Sequence, residues 1–160
     1  VMVKPEINQE FFTVPKKYYK IDFSKKFVGS FVSDDFENNE LAPVKSSIVN
    51  SIRNLGFTII ESNIKDEEGL VEFGKNQKAD SAVFCKVKFV GKSLYEDIVF
   101  AKLGCDFKII RLQTGESSFQ KYFESKGSGL DFNQSKTKSI LNLAKTIENF
   151  LSSNPQELSK

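Results

Sequence analysis

Three apolar segments follow one another between Ala79 and Phe123: SAVFCKVKFV (81–90), IVFAKLGCDFKIIRL (98–112) and ESSFQKYF (116–123). The breaks between them, Gly91 to Asp97 and Gln113 to Gly115, have hairpin lengths and carry turn residues. An antiparallel meander is the expected result, and it makes the centre of the sheet. Odd-numbered residues of the first two segments, Val83, Cys85, Val87 and Phe89, then Ala101, Leu103, Cys105 and Phe107, share an apolar face. Even-numbered residues put Lys86, Lys88, Lys102 and Lys108, with Asp106, on the other.

Upstream of the meander the pattern changes period. Phe27, Val28, Phe31 and Val32 read as a strand, and Leu41, Val44, Ile48, Ile52 and Leu55 then recur three or four apart as a helical stripe. Pro43 suits the first turn of that helix, and Gly56 suits the left-handed position just past its end. FTIIE (57–61) is the strand it delivers, so residues 27–61 form a βαβ unit. Asp66, Glu67 and Glu68 place negative charge at the start of a second helix running to about Lys78, with Leu70 and Phe73 as its apolar stripe. Downstream, Gly127, Ser128 and Gly129 close the meander. Ile140, Leu143, Ala144, Ile147 and Leu151 mark the buried face of a long closing helix over 135–152.

The fold class is therefore α+β: βαβα, an antiparallel meander and a long C-terminal helix, with the helices expected on one face of a mixed sheet. Residues 16–153 are read as one domain. Residues 1–15 are read as an extended lead-in or tether, with a further strand through Tyr19, Ile21 and Phe23, and 154–160 as a frayed tail.

Composition narrows the chemistry. Among the 160 residues there are sixteen Phe, four Tyr and no Trp or His, which removes the commonest general base and metal ligand. Lys and Arg total 23 against 21 Asp and Glu, a net charge of +2, so no global field draws the chain to nucleic acid or anionic membrane. No apolar run reaches the ~18 residues needed to cross a bilayer. Asp34 with Asp35, and Asp66 to Glu68, are paired carboxylates without the apolar surroundings that would separate an acid from a base. Gly127-Ser128-Gly129 is only a fragment of a dinucleotide fingerprint and does not follow a parallel βαβ strand. No catalytic, cofactor-binding or metal-binding set is expected, no cofactor or small-molecule substrate is implied, and the chain is read as a non-enzyme.

Two constellations remain. Cys85 and Cys105 lie on the apolar face of adjacent strands, and a hairpin turning about residue 95 would set them directly opposite. Two readings stay open, a cross-strand disulfide and a pair of buried thiols packing as small hydrophobes. The lysine face of Lys86, Lys88, Lys102 and Lys108 is either a solvated sheet face or a docking surface for an acidic partner. Lys16 to Phe27 interleaves lysines with aromatics in the manner of single-strand nucleic-acid binders, but alternation in a strand explains it as well.

Several stretches carry a likeness. SSIVNSIRNLGFTIIES (46–62) holds a Leu-Gly-Phe junction between helix and strand, KADSAVFCKVKF (78–89) opens the meander, and CDFKIIRLQTGESSFQ (105–120) turns back at Thr114, Gly115 and Glu116. With the Gly127–Gly129 step they cover roughly residues 25–152. The chain resembles a group of bacterial cell-envelope lipoprotein domains: the TolB amino-terminal domain, the curli-secretion (CsgG-like) lipoproteins, the penicillin-binding-protein activator lipoproteins and the HpaA-type haemagglutinin lipoproteins. The resemblance implies an exported protein-binding or assembly module of the periplasm or outer membrane, with an envelope protein as partner. It also implies a lipid anchor on a removed N-terminal segment, since this chain lacks the lipid-bearing Cys at its start. Two alternatives stand beside it: a surface adhesin of the HpaA type, and a cytoplasmic single-strand nucleic-acid binder.

Overall fold

The structure, a computed structural model, describes residues 22–160. Strand β1 (Lys26–Ser33) leads into helix α1 (Ala42–Asn54) and strand β2 (Thr58–Ser62). Helix α2 (Glu67–Asn76) returns the chain to β3 (Ser81–Tyr95), and β4 (Ile98–Arg111), β5 (Ser117–Gly129) and helix α3 (Phe132–Ser153) follow. The five strands lie in the order β2-β1-β3-β4-β5. β1 runs parallel to both β2 and β3, and the β3–β4 and β4–β5 pairs are antiparallel. The expected α+β class, meander and closing helix are all present.

One part of the expectation is corrected. α1 and α3 cover one face, where Val44, Ile48, Ile52, Leu143, Ile147 and Leu151 pack on Phe27, Phe31, Val83, Val87, Leu103 and Phe107. α2 lies on the other face, where Leu70 packs with Val28, Val32, Ala82, Phe84, Ile110 and Leu112. The cause is the strand order. The chain moves outward from β1 to β2, then back across β1 to reach β3. Because crossovers between parallel strands are right-handed, reversing the direction of travel moves the connecting helix to the opposite face. β1 is consequently buried on both sides, which explains its consecutive apolar pairs.

Local signals account for the element ends. Pro43 occupies the first turn of α1, Gly56 takes φ +107°, and the Phe57 N–H returns to the Ile52 carbonyl at 3.2 Å in a Schellman-type stop. Asp66 caps α2 by accepting from the Gly69 N–H. α3 starts three residues earlier than the apolar stripe suggests. Asp131 accepts from the Gln134 N–H at 2.8 Å, while the Gln134 side chain accepts from the Leu130 N–H at 3.0 Å, a capping box displaced by one residue. Asp131→Ala should therefore cost about 1 kcal/mol, read as a Tm a few degrees lower; an unchanged melting curve would mean the cap contributes nothing.

The C-terminal tail and Phe23 also differ from expectation. Residues 155–159 form a 3-10 turn in which Pro155 and Leu158 are buried, and the Lys25 ammonium donates to the Ser159 carbonyl at 2.7 Å. The tail is thus packed, because Leu158 supplies an apolar side chain that the main core absorbs. Tyr19 and Ile21 lie outside the described residues, as does the lead-in 1–15. Phe23 sits in a turn rather than a strand, its ring 5.1 Å from that of Phe57.

Candidate functional site

The hairpins set what the sheet presents. β3 and β4 continue through the segment expected to be a loop, and only Glu96 and Asp97 form the turn, with Tyr95 paired to Ile98 and Glu96 at φ +56°. A register shift between Phe89 and Gly91 leaves Val90 unpaired, a bulge that adds one residue to β3. Cys85 is consequently opposite Phe107, and Cys105 opposite Val87 and Phe123. The cysteines are not directly opposed, as a turn at residue 95 would have made them, but are diagonal neighbours on one face. Their side chains nonetheless meet: both are free thiols without solvent exposure, and the two Sγ atoms are 2.8 Å apart. The hydrogen bond that the Cys105 thiol makes to Cys85, then burial, push the Cys105 thiol well above its ordinary value.

The lysine face is assembled as the alternation requires, but each lysine has a carboxylate beside it. Lys86 is 3.1 Å from Asp34, Lys88 4.0 Å from Asp106, Lys102 3.5 Å from Glu124 and Lys108 2.7 Å from Glu67 of α2. The result is a charge-balanced mosaic rather than a positive patch, and exposed pairs of this kind add little stability. Tyr122 lies flat across Gly104, where any Cβ would collide with its ring, and the Lys88 ammonium sits 5.1 Å from the ring centre. Partial desolvation against the sheet, then the Glu124 carboxylate, raise the Tyr122 phenol above its ordinary value.

The acidic loop 34–40 is tied down at several points. Asp35 accepts from the Phe89 N–H at 2.8 Å, Phe36 is buried in the main core, and Glu40 pairs with Lys136 of α3. The hydrogen bond from Lys136, then that from the Glu37 N–H, hold the Glu40 carboxyl below the usual range. Two aromatics of the basic 16–27 segment fall within the described residues: Phe23 is 45% exposed with its ring against Phe57, and Phe27 is fully buried in edge contact with Phe57, so Phe27 offers no face to a base.

A surface that the sequence pattern did not reveal lies at the far end of the meander. Leu94 (71% exposed), Tyr95 (68%) and Ile98 surround the β3–β4 turn, and Leu130 (77%) projects from the β5–α3 junction. Ile98 and Leu130 line a shallow hollow of about 400 Å³ with Gln134 and Lys138. The same Gln134 and Lys138 border a second hollow holding the half-exposed Leu141. Leu94 and Tyr95 are the missed signal: turn chemistry asks for Gly, Asn, Asp or Pro, not for two large apolar side chains. A wider, more polar hollow of about 600 Å³ lies at the opposite end of the sheet, where Asp80 within it already accepts from the Lys26 N–H at 2.8 Å. Among the described residues no three His, Cys, Asp or Glu side chains are grouped so as to hold a metal ion.

A half-parallel, half-meander sheet clamped by a long closing helix is a fold that this chain shares with solved bacterial proteins, lipoproteins among them. The chain is similar to a PelC dodecamer subunit from Paraburkholderia phytofirmans, with 13% identity, a TM-score of 0.56, and 88% of this chain and 92% of that one covered. It is similar to Lipoprotein GNA1162 from Neisseria meningitidis, with 9% identity, a TM-score of 0.51 and coverages of 81% and 99%. A homolog of neuraminyllactose-binding hemagglutinin from Helicobacter pylori aligns at 7% identity and a TM-score of 0.55, covering 82% of this chain and 85% of its own. At these identities the likeness is one of fold. No protein-family profile matches the chain, and no curated protein does.

Proposed function

We propose that this chain is a non-enzymatic, exported protein-binding or assembly module of the bacterial cell envelope. It works in the periplasm or at the outer membrane, tethered by a lipid on a segment upstream. The observation that carries the reading is the apolar end of the meander. Five large side chains, Leu94, Tyr95, Ile98, Leu130 and Leu141, are between 40% and 77% exposed on the β3–β4 turn, the β5–α3 junction and α3, and exposed apolar surface gathered in this way marks an interaction site. Glu96 and Asp97 sit in the turn between them, which disfavours burial in lipid and favours a protein partner. The lipoprotein fold supports the compartment, and a chain without His, whose lysines are matched by carboxylates, supports recognition rather than catalysis.

Site-specific photocrosslinking from position 95 in intact cells tests this. A discrete adduct is expected in the envelope fraction. Leu94→Asp with Leu130→Asp should weaken it roughly tenfold or more, while Lys86→Glu with Lys102→Glu should leave it unchanged. The opposite pattern moves the interface to the open sheet face. The absence of any adduct, joined to binding of host glycans, favours the adhesin; salt-sensitive binding of single-stranded oligonucleotides favours the cytoplasmic alternative.

A further inference from the structure

We infer that Cys85 and Cys105 form a structural disulfide, closed while the sheet is still assembling and then sealed inside it, when the chain folds where a disulfide-bearing oxidant is present. The inference stands on the centre of the sheet and is independent of the partner surface. The two sulfurs are 2.8 Å apart across the middle of β3 and β4, so closing the bond draws them together by only about 0.8 Å. Their neighbours in the ladder are Val87, Phe107 and Phe123, all buried and apolar. Among the described residues the charged side chain that acts on the Cys105 thiol is the Asp106 carboxylate and not a cation, and the chain has no His, so this is not a reactive dithiol of the catalytic kind. The folded thiols are inaccessible, and the Cys105 thiol is held protonated by its neighbour and by burial. Exchange must therefore precede closure of the core.

The step balances with any disulfide oxidant, protein or small molecule. In the open chain one cysteine thiolate attacks a sulfur of the oxidant, forming a mixed disulfide and releasing one oxidant thiolate. The second cysteine thiolate attacks the first cysteine's sulfur in that bond, forming the Sγ–Sγ bond and releasing the second oxidant thiolate. The cysteines lose two electrons, the oxidant's disulfide gains them, and the two cysteine protons end on the two oxidant thiols. The closed loop joins residues 20 apart in sequence, long enough for the cross-link to restrict the unfolded chain substantially.

The test is to refold the reduced, denatured chain in oxidised glutathione and in reductant, then alkylate in denaturant and measure intact mass. From glutathione, the expected product is two hydrogens lighter than the reduced chain and takes up no alkylating agent. Its Tm should lie roughly 10 °C above that of the product from reductant. Cys85→Ala and Cys105→Ala should each abolish the difference. A natively folded product from glutathione with both thiols alkylated, or with glutathione on a single cysteine, overturns the inference. Chain secreted into an oxidising compartment and quenched in the same way gives the same readout without a refolding step: two alkylated thiols in folded protein overturn the inference there too.

Discussion

Phe107→Ala is expected to remove about 3 to 5 kcal/mol of folding stability. Phe107 is fully buried in the centre of β4, with Phe119 at 6.2 Å and Phe123 at 6.0 Å between ring centres, both edge-on. Truncation leaves a cavity walled by sheet on one side and by helix on the other, so the surroundings collapse poorly. It also removes two edge-to-face contacts worth about 0.5 to 1.5 kcal/mol each beyond their buried area. A domain of ordinary stability, about 5 to 15 kcal/mol, would be left marginal. Denaturant unfolding followed by circular dichroism gives the number. Phe107→Leu should cost clearly less, and a loss below about 1 kcal/mol for the alanine variant would mean that the core repacks around the gap.

Gly127→Ala should be nearly as damaging for a different reason. A Cβ at Gly127 would meet the backbone nitrogen of Ser139 and, at 2.5 Å, the carbonyl of Ser135. These are backbone atoms of α3, which cannot swing aside as a side chain would. The rest of the seam is small for the same purpose: Ser125 donates to the Ser139 carbonyl at 2.8 Å, and Asn142 donates to the Lys126 carbonyl at 2.8 Å. One methyl group must push the helix off β5, at a cost of about 3 kcal/mol or more. Gly91→Ala is the control. It has no atom within 4 Å of the added Cβ and no positive φ, so its effect should stay within about 0.5 kcal/mol. Equal losses at the two glycines would show that backbone freedom, not helix approach, sets the cost.

The elements that could be read from sequence are those whose signals are local. The helical stripe Val44, Ile48, Ile52 with its Gly56 stop, and the Ile140 to Leu151 stripe, record which side chains face the core at fixed spacing. The face on which α2 packs is not local: it follows from β1 lying between β2 and β3, a pairing between residues far apart in sequence. The cysteine register depends on a turn at Glu96–Asp97 and a bulge at Val90, each a shift of a residue or two that alternation alone cannot fix. The lysine face was legible, but its neutralisation was not, because Asp34 and Glu67 arrive from elements outside the meander. The apolar end was hidden by Gly91, which invited a loop where the strands continue through it.

The insertion of β1 between its neighbours also bears on when the protein becomes a protein. Its first backbone N–H, at Lys26, is satisfied by the Asp80 carboxylate, 54 positions later, and Phe27 to Ser33 pair with β3 on one side. Among the described residues nothing that precedes β3 takes that edge, so a chain emerging from a ribosome keeps β1 open on one side until the meander has arrived. Non-local pairing of this sort slows closure. The order of events follows: β1 is committed to the sheet only once β3 has arrived to take its second edge.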